Sequence, residues 1–239
     1  MNTIKAVIFD LDDVCYPEYE YALGGYKAVA RYMFAIYGTK IYEDLAKQHN
    51  SRDIEELLTD VLAGHFKDID ANFLSKLADV YWLHQPQINL HRDMQECIAF
   101  LKKIKIKTAL VTEGRPEVQR SKANALNLGE QLDTIIYASD LLGGNKMSEA
   151  CMLAELLLDV PLSNTIYIGN GKTSDLQAVS NLGMTSIRLD RPAPRQQQQG
   201  LHGRQTISAI ENQPADMTIH SLNEIIEMVK KQQSLIRQQ

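Results

Sequence analysis

Six short apolar or β-branched runs are set along the chain at intervals filled by helical patterns: AVIF (6–9), TALV (108–111), TIIY (134–137), TIYIG (165–169), TSIRL (185–189) and MTI (217–219). Strands that alternate with helices predict an α/β protein with a doubly wound, Rossmann-like parallel sheet, because each parallel strand needs a crossover before the next. The intervening helices read MQECIAFLKKI, EVQRSKANALNLG, SEACMLAELLLD and SDLQAVSNLG, the second and fourth stopping at a glycine, where helices commonly end.

From Tyr16 to Ile88 the period changes. Apolar residues recur at helical spacing in YKAVARYMFAIYG, IEELLTDVLAGHF and NFLSKLADVYWL, with no alternating run. Residues 16–88 are therefore expected to form a helical cap inserted after the first strand. The core comprises 1–15 and 89–239. An insert leaving the sheet at that point is expected over the carboxyl ends of the strands, where open α/β sheets bind ligands. The segment DRPAPRQQQQGLHGRQ after Leu189 reads as a mobile loop and is given no chemistry. The cap tyrosines read mostly as core residues, Tyr16 and Tyr19 being nearest the candidate site.

Several function classes are excluded on simple grounds. A net charge of -5 argues against binding nucleic-acid polymers, and the one basic run, KKIKIK, suits a solvated helix end. No apolar run approaches the ~20 residues of a membrane helix, and MNTIKAVIFD lacks the layout of a signal peptide. Cys15, Cys97 and Cys151 are widely spaced without a C-x-x-C, so a reducing, cytoplasmic setting is expected rather than a disulfide framework or zinc. Oligomeric state is not legible.

Asp10, Asp12 and Asp13 follow AVIF directly. Two carboxylates ~4 Å apart repel by ~4 kcal/mol at an effective dielectric of ~20, so the cluster calls for a cation or a proton. Oxygen donors of this kind suit Mg2+, usually held by one or two carboxylates plus a substrate phosphate. A carboxylate beside such an ion can attack phosphorus. A second acid two residues on projects to the same face, placed for proton transfer. Asp10 and Asp12 have that spacing; Asp13 faces away and reads as a turn residue.

At this point the chain resembles the haloacid dehalogenase superfamily, most of whose members are magnesium-dependent phosphatases. DLDDV (10–14) matches its D-x-D-x-[TV] motif, and the flanking Tyr16 and Pro17 look like the nucleotidase-like branch. Thr112 in ALVTEG matches the strand-ending Thr or Ser, and Gln119 and Lys122 stand in the familiar places of the following helix. Lys146 in GGNKMSEACM matches the motif lysine, with Met147 where proline is usual; GNGKTSD matches G-D-x4-D at Gly169 and Asp175, with Asn170 in place of the first acid. The resemblance implies nucleophile Asp10, acid/base Asp12, phosphate contacts at Thr112, Glu113 and Gly114, charge neutralisation by Lys146, and Mg2+ held by Asp10, the Asp12 carbonyl, Asn170 and Asp175. The implied activity is hydrolysis of a small phosphorylated metabolite, a phosphomonoester such as a nucleoside monophosphate, through an aspartyl phosphate.

Asn170 removes a negative charge from the metal site, and Glu113 places a carboxylate where related sequences often have Asn. Either departure fits an alternative, a catalytically weakened relative that binds a phosphorylated ligand or partner. Haloacid dehalogenation is disfavoured by Asp12, since a departing halide needs no proton. Lys172 could offset the lost charge or be solvated. Taken singly, Thr112 also suits a strand end, Lys146 a helix start, and Asp175 the acid favoured in a first helical turn.

Overall fold

The computed structural model describes residues 3–49, 53–171, 173–191 and 215–237. The Gln-rich segment and Lys172 lie outside them, apart from Asp190 and Arg191. In chain order the elements are β1 (Ala6–Phe9), α1 (Glu18–Tyr37), α2 (Tyr42–Lys47), α3 (Ile54–Ala63), α4 (Ala71–Trp82), α5 (Arg92–Lys103), β2 (Lys107–Thr112), α6 (Pro116–Ala125), β3 (Thr134–Tyr137), α7 (Lys146–Leu158), β4 (Thr165–Gly169), α8 (Thr173–Asn181), β5 (Thr185–Leu189), β6 (Met217–Ile219) and α9 (Asn223–Arg237).

All six strands are parallel, in the order β3-β2-β1-β4-β5-β6. This is the doubly wound sheet that the alternating pattern predicts. β1 is buried throughout, as a central parallel strand must be when helices cover both faces. From β1 the chain winds outward through β2 and β3, then returns to the other side of β1 as β4. The carboxyl ends of β1 and β4 therefore flank the switch point, the crevice in which such sheets bind ligands.

The described residues fall into two compact units, one of 3–17, 89–191 and 215–237, the other of 18–88. The second holds α1 to α4 around its own core, including Val29, Met33, Leu45, Leu58, Leu62 and Leu77. Its buried tyrosines serve that packing: Tyr21 OH donates to the Trp82 carbonyl at 2.6 Å, and Tyr26 lies in the apolar cluster. Among the described residues no helix is long and apolar enough to cross a membrane.

Three elements depart from the sequence expectation. α6 stops at Ala125 rather than running to Gly129, because Asn127 adopts the left-handed conformation (φ 52°) and reverses the chain first. α2, six residues long, is too short to show a period. α1 starts at Glu18, eight residues before the periodic stretch at Tyr26, and runs through Gly24 and Gly25.

Glycines inside a helical pattern normally read as breakers. Here Gly25 admits a neighbour: a Cβ at this position would lie 2.3 Å from Tyr81 Cδ2 in α4. Alanine is ordinarily ~1 kcal/mol better than glycine in a helix interior, whereas overpacking costs ~1–3 kcal/mol. Gly25→Ala is thus expected to lower the thermal midpoint, by about 1 kcal/mol net. A midpoint raised by the substitution would contradict the packing account.

Candidate active site

Asp10 extends β1 by one residue. Its N–H donates to the Ile168 carbonyl at 2.9 Å, continuing the ladder to β4, and its Oδ1 accepts from Leu11 N at 2.7 Å. The side chain is buried, 5% exposed. Asp13 follows in the left-handed region (φ 60°), turning the chain away from the sheet. Arg191 pairs with Asp93 at 2.8 and 2.9 Å and donates to the Val14 carbonyl at 3.2 Å, tying this turn to α5.

The two polar ends of Asp12 point to different partners. Its carbonyl accepts from Asn170 Nδ2 at 3.3 Å. Its carboxylate accepts from Tyr16 OH at 2.6 Å, Lys122 Nζ at 2.8 and 3.0 Å, and Gln119 Nε2 at 3.2 Å. Burial alone would raise the pKa of this carboxyl. The Lys122 ammonium and the hydrogen bonds from Lys122, Tyr16 and Gln119 together outweigh burial and hold it below the ordinary carboxylate value. Lys122 is itself only 3% exposed.

Gln119 and Lys122 sit three residues apart on α6 and so share one face of that helix. Gln119 Nε2 also donates to Thr112 Oγ1 at 2.9 Å and to the Glu113 carbonyl at 3.1 Å, linking the end of β2 to Asp12. With that lone pair engaged, the Thr112 hydroxyl is set to donate its proton elsewhere. The Glu113 side chain is exposed, and Gly114 N donates to Ser139 Oγ at 3.1 Å.

Lys146, the first residue of α7, donates to the Ser139 carbonyl at 3.1 Å and forms no ion pair among the described residues. The ammonium that meets a candidate carboxylate is that of Lys122. In the sequence Lys122 stands on a recognisable helix with no role attached to it. A polar pair at i, i+3 on the buried face of α6 is the signal that could have found it.

Asp175 is buried in the first turn of α8 and accepts from Ser174 Oγ at 3.0 Å. Cys15, beside Asp10, is a poor nucleophile: burial, then the charges of Asp10 and Asp12, pushes its thiol pKa well up.

Could these residues hold a divalent ion? Among the described residues no group of three or more His, Cys, Asp and Glu side chains is placed to do so. A site would have to combine the Asp10 and Asp175 carboxylates with neutral oxygens. The adjacency of Asn170 to the Asp12 carbonyl supplies these, since a half-turn of the amide presents Oδ1 where Nδ2 now lies. An all-oxygen set with two carboxylates fits magnesium.

A family model described as haloacid dehalogenase-like hydrolase matches residues 4–183. The glyceraldehyde 3-phosphate phosphatase of Methanocaldococcus jannaschii is 22% identical over 236 residues, spanning 95% of this chain and 97% of the relative. That of Methanopyrus kandleri is 23% identical over 201 residues, spanning 79% and 84%. Among solved structures, a protein assigned as a beta-phosphoglucomutase from Thermotoga maritima superimposes with a TM-score of 0.66 at 19% identity, covering 95% of this chain and 99% of the other. At that identity the likeness concerns the fold.

Proposed function

The chain belongs to the haloacid dehalogenase-like hydrolase family, and from that premise we propose that it is a magnesium-dependent phosphatase hydrolysing a small phosphomonoester through an aspartyl phosphate on Asp10. The observation that carries this is the division of Asp12: carbonyl on Asn170, carboxylate on Lys122, Tyr16 and Gln119. One residue thereby serves a metal site and a proton-transfer site without conflict.

In this account Asp10, Asp175, Asn170 and the Asp12 carbonyl would hold magnesium, which would supply charge neutralisation and orientation of the phosphate when bound. Asp10 attacks from the end of β1. Thr112 donates its hydroxyl to a phosphate oxygen, Gly114 shapes the adjoining turn, and Lys146 contributes positive charge from α7. Asp12, ionised in its clamp, is in the form required to accept the proton of the attacking water in the second half-reaction. When the leaving alcohol needs a proton in the first half-reaction, the Asp12–Lys122 pair supplies it. The assignment of 18–88 as a cap that sets specificity belongs to the same proposal, as does a cytoplasmic setting, with which three free, buried cysteines agree.

The relatives make glyceraldehyde 3-phosphate the first substrate to try, and DLDDVCYP makes nucleoside monophosphates the second. Release of inorganic phosphate in magnesium, abolished by a chelator, tests the activity. Binding of these compounds without turnover would favour the weakened-relative reading, which the neutral Asn170 motivates. Halide release from a short 2-haloacid is expected to be absent, because Asp12 has no use in that chemistry.

Asn170→Asp adds a carboxylate beside the Asp12 carbonyl. It is expected to lower the magnesium concentration for half-maximal turnover by about tenfold, since cation affinity follows ligand charge. An unchanged or higher requirement would rule out Asn170 as a ligand.

A further inference from the structure

Glu113 follows Thr112, the last residue of β2. Its backbone is held, the carbonyl accepting from Gln119 Nε2 at 3.1 Å. Its side chain is exposed and makes no hydrogen bond or ion pair among the described residues. An exposed glutamate is ordinarily just solvated, but a carboxylate next to the residue that would contact a phosphate repels that phosphate unless a cation lies between them.

The sheet register gives this carboxylate a place. Ala109 and Val111 share one core cluster with Ile8 and Tyr167, so all four point to one face of the sheet. Strand alternation carries Asp10 and Glu113 to that same face. Phe9 pairs with Leu110, which sets Asp10 beside Val111, and Glu113 lies two residues, ~6.6 Å, further toward the carboxyl end of the adjacent strand. A phosphoryl group on Asp10 extends in that direction. The phenol of Tyr167, on the same face, has its pKa pushed up by burial first, then by the charges of Asp10 and Asp175, with Glu113 adding to them. The cations of the surrounding elements are engaged elsewhere: Lys122 with Asp12, Arg120 with Asp140, and Lys146 with the Ser139 carbonyl.

We propose that Glu113 determines specificity, and that the preferred substrate is an aminoalkyl phosphate, a phosphomonoester whose alcohol portion carries a protonated amine that pairs with the Glu113 carboxylate. The proposal rests on the phosphatase reading of the site and names the substrate class for it. The cation that the chain does not set against Glu113 then arrives with the substrate. A phosphomonoester with a second carboxylate is rejected, because like charges brought together disfavour the wrong partner. Esters of neutral alcohols, glyceraldehyde 3-phosphate among them, fall between the two.

The test compares phosphoethanolamine, ethyl phosphate and phosphoglycolate, which share a two-carbon alcohol portion and differ in its charge. Phosphate release by the full-length protein in magnesium is expected to give the highest kcat/KM on phosphoethanolamine and the lowest on phosphoglycolate. Glu113→Gln keeps the shape and removes the charge. Relative to ethyl phosphate, it is expected to lower kcat/KM for phosphoethanolamine about fivefold and to raise that for phosphoglycolate about fivefold, the upper end for a solvent-exposed ion pair. Using ethyl phosphate as the reference cancels any change in phosphate affinity or in the amount of folded protein, which moves all three together. Glu113→Lys is expected to reverse the order of the charged pair. Turnover of p-nitrophenyl phosphate without a wild-type preference for phosphoethanolamine, or ratios unchanged in both variants, would overturn the inference and leave the phosphatase reading standing. If the wild type releases phosphate from none of the four esters, the phosphatase reading fails and this inference with it.

Discussion

Asp10→Asn is expected to lower kcat for an aryl phosphate by at least ~10³-fold while leaving the protein folded. The amide keeps a carbonyl oxygen to accept from Leu11 N, which Asp10 Oδ1 holds at 2.7 Å. It also removes a negative charge from a position only 5% exposed, so the thermal midpoint should stay or rise. What it cannot do is attack phosphorus at a comparable rate, and loss of a nucleophile is among the largest single-residue effects in enzymes. Steady-state rates set beside thermal melts check both halves. More than about a tenth of wild-type activity in the purified variant would mean that Asp10 is not the nucleophile.

The second large effect is expected at Lys122. Its ammonium and the Asp12 carboxylate are both nearly inaccessible, with side-chain exposures of 4% and 12%. Lys122→Met retains most of the volume and removes the charge. Asp12 is then left with hydrogen bonds from Tyr16 and Gln119 but without its cation, and breaking a buried pair from one side costs ~3–5 kcal/mol. For a chain of this size that is a fall of roughly 10 °C in thermal midpoint.

The pH dependence fixes the sign. In the wild type the depressed Asp12 pKa contributes stability above the ordinary carboxyl value of 3.8 that is lost as pH falls through the folded value. In the variant burial, the largest influence, is opposed only by the hydrogen bonds from Tyr16 and Gln119 and raises that pKa relative to wild type, so the deficit is greatest near neutrality and shrinks in acid. Adding Asp12→Asn to Lys122→Met should recover much of the midpoint, because no charge is then stranded. Since acid/base function is needed only in the transition state, kcat should fall at least about tenfold with little change in KM. A midpoint within about 2 °C of wild type at neutral pH would show that the pair is not a buried anchor.

The strands were legible because each is a short apolar run bounded by turn residues; TIIY, TIYIG, TSIRL and MTI coincide with β3 to β6. Helix limits were less so wherever tertiary contact overrides local preference. Gly25 masks the first half of α1 until Tyr81 is seen against it. Asn127 reverses the chain before the glycine that the sequence offers.

In the site, Asp10, Asp12 and Thr112 stand out because a polar residue at the end of a buried strand has a recognisable place in the sequence. The clamp does not. Lys122 lies 110 positions from Asp12 and Gln119 lies 107, and no local pattern brings α6 onto the turn after β1. Lys146 reads as a site lysine from its motif, whereas its ammonium meets the Ser139 carbonyl.

The most direct measurement is a crystal structure grown with magnesium and beryllofluoride, a mimic of a phosphoryl group bound to a carboxylate. The account predicts beryllium bonded to an Asp10 oxygen, with an ion alongside touching Asp10, the Asp12 carbonyl, Asn170 Oδ1 and Asp175. An unmodified Asp10 with no ion among these four residues, in a protein that still releases phosphate, would contradict it.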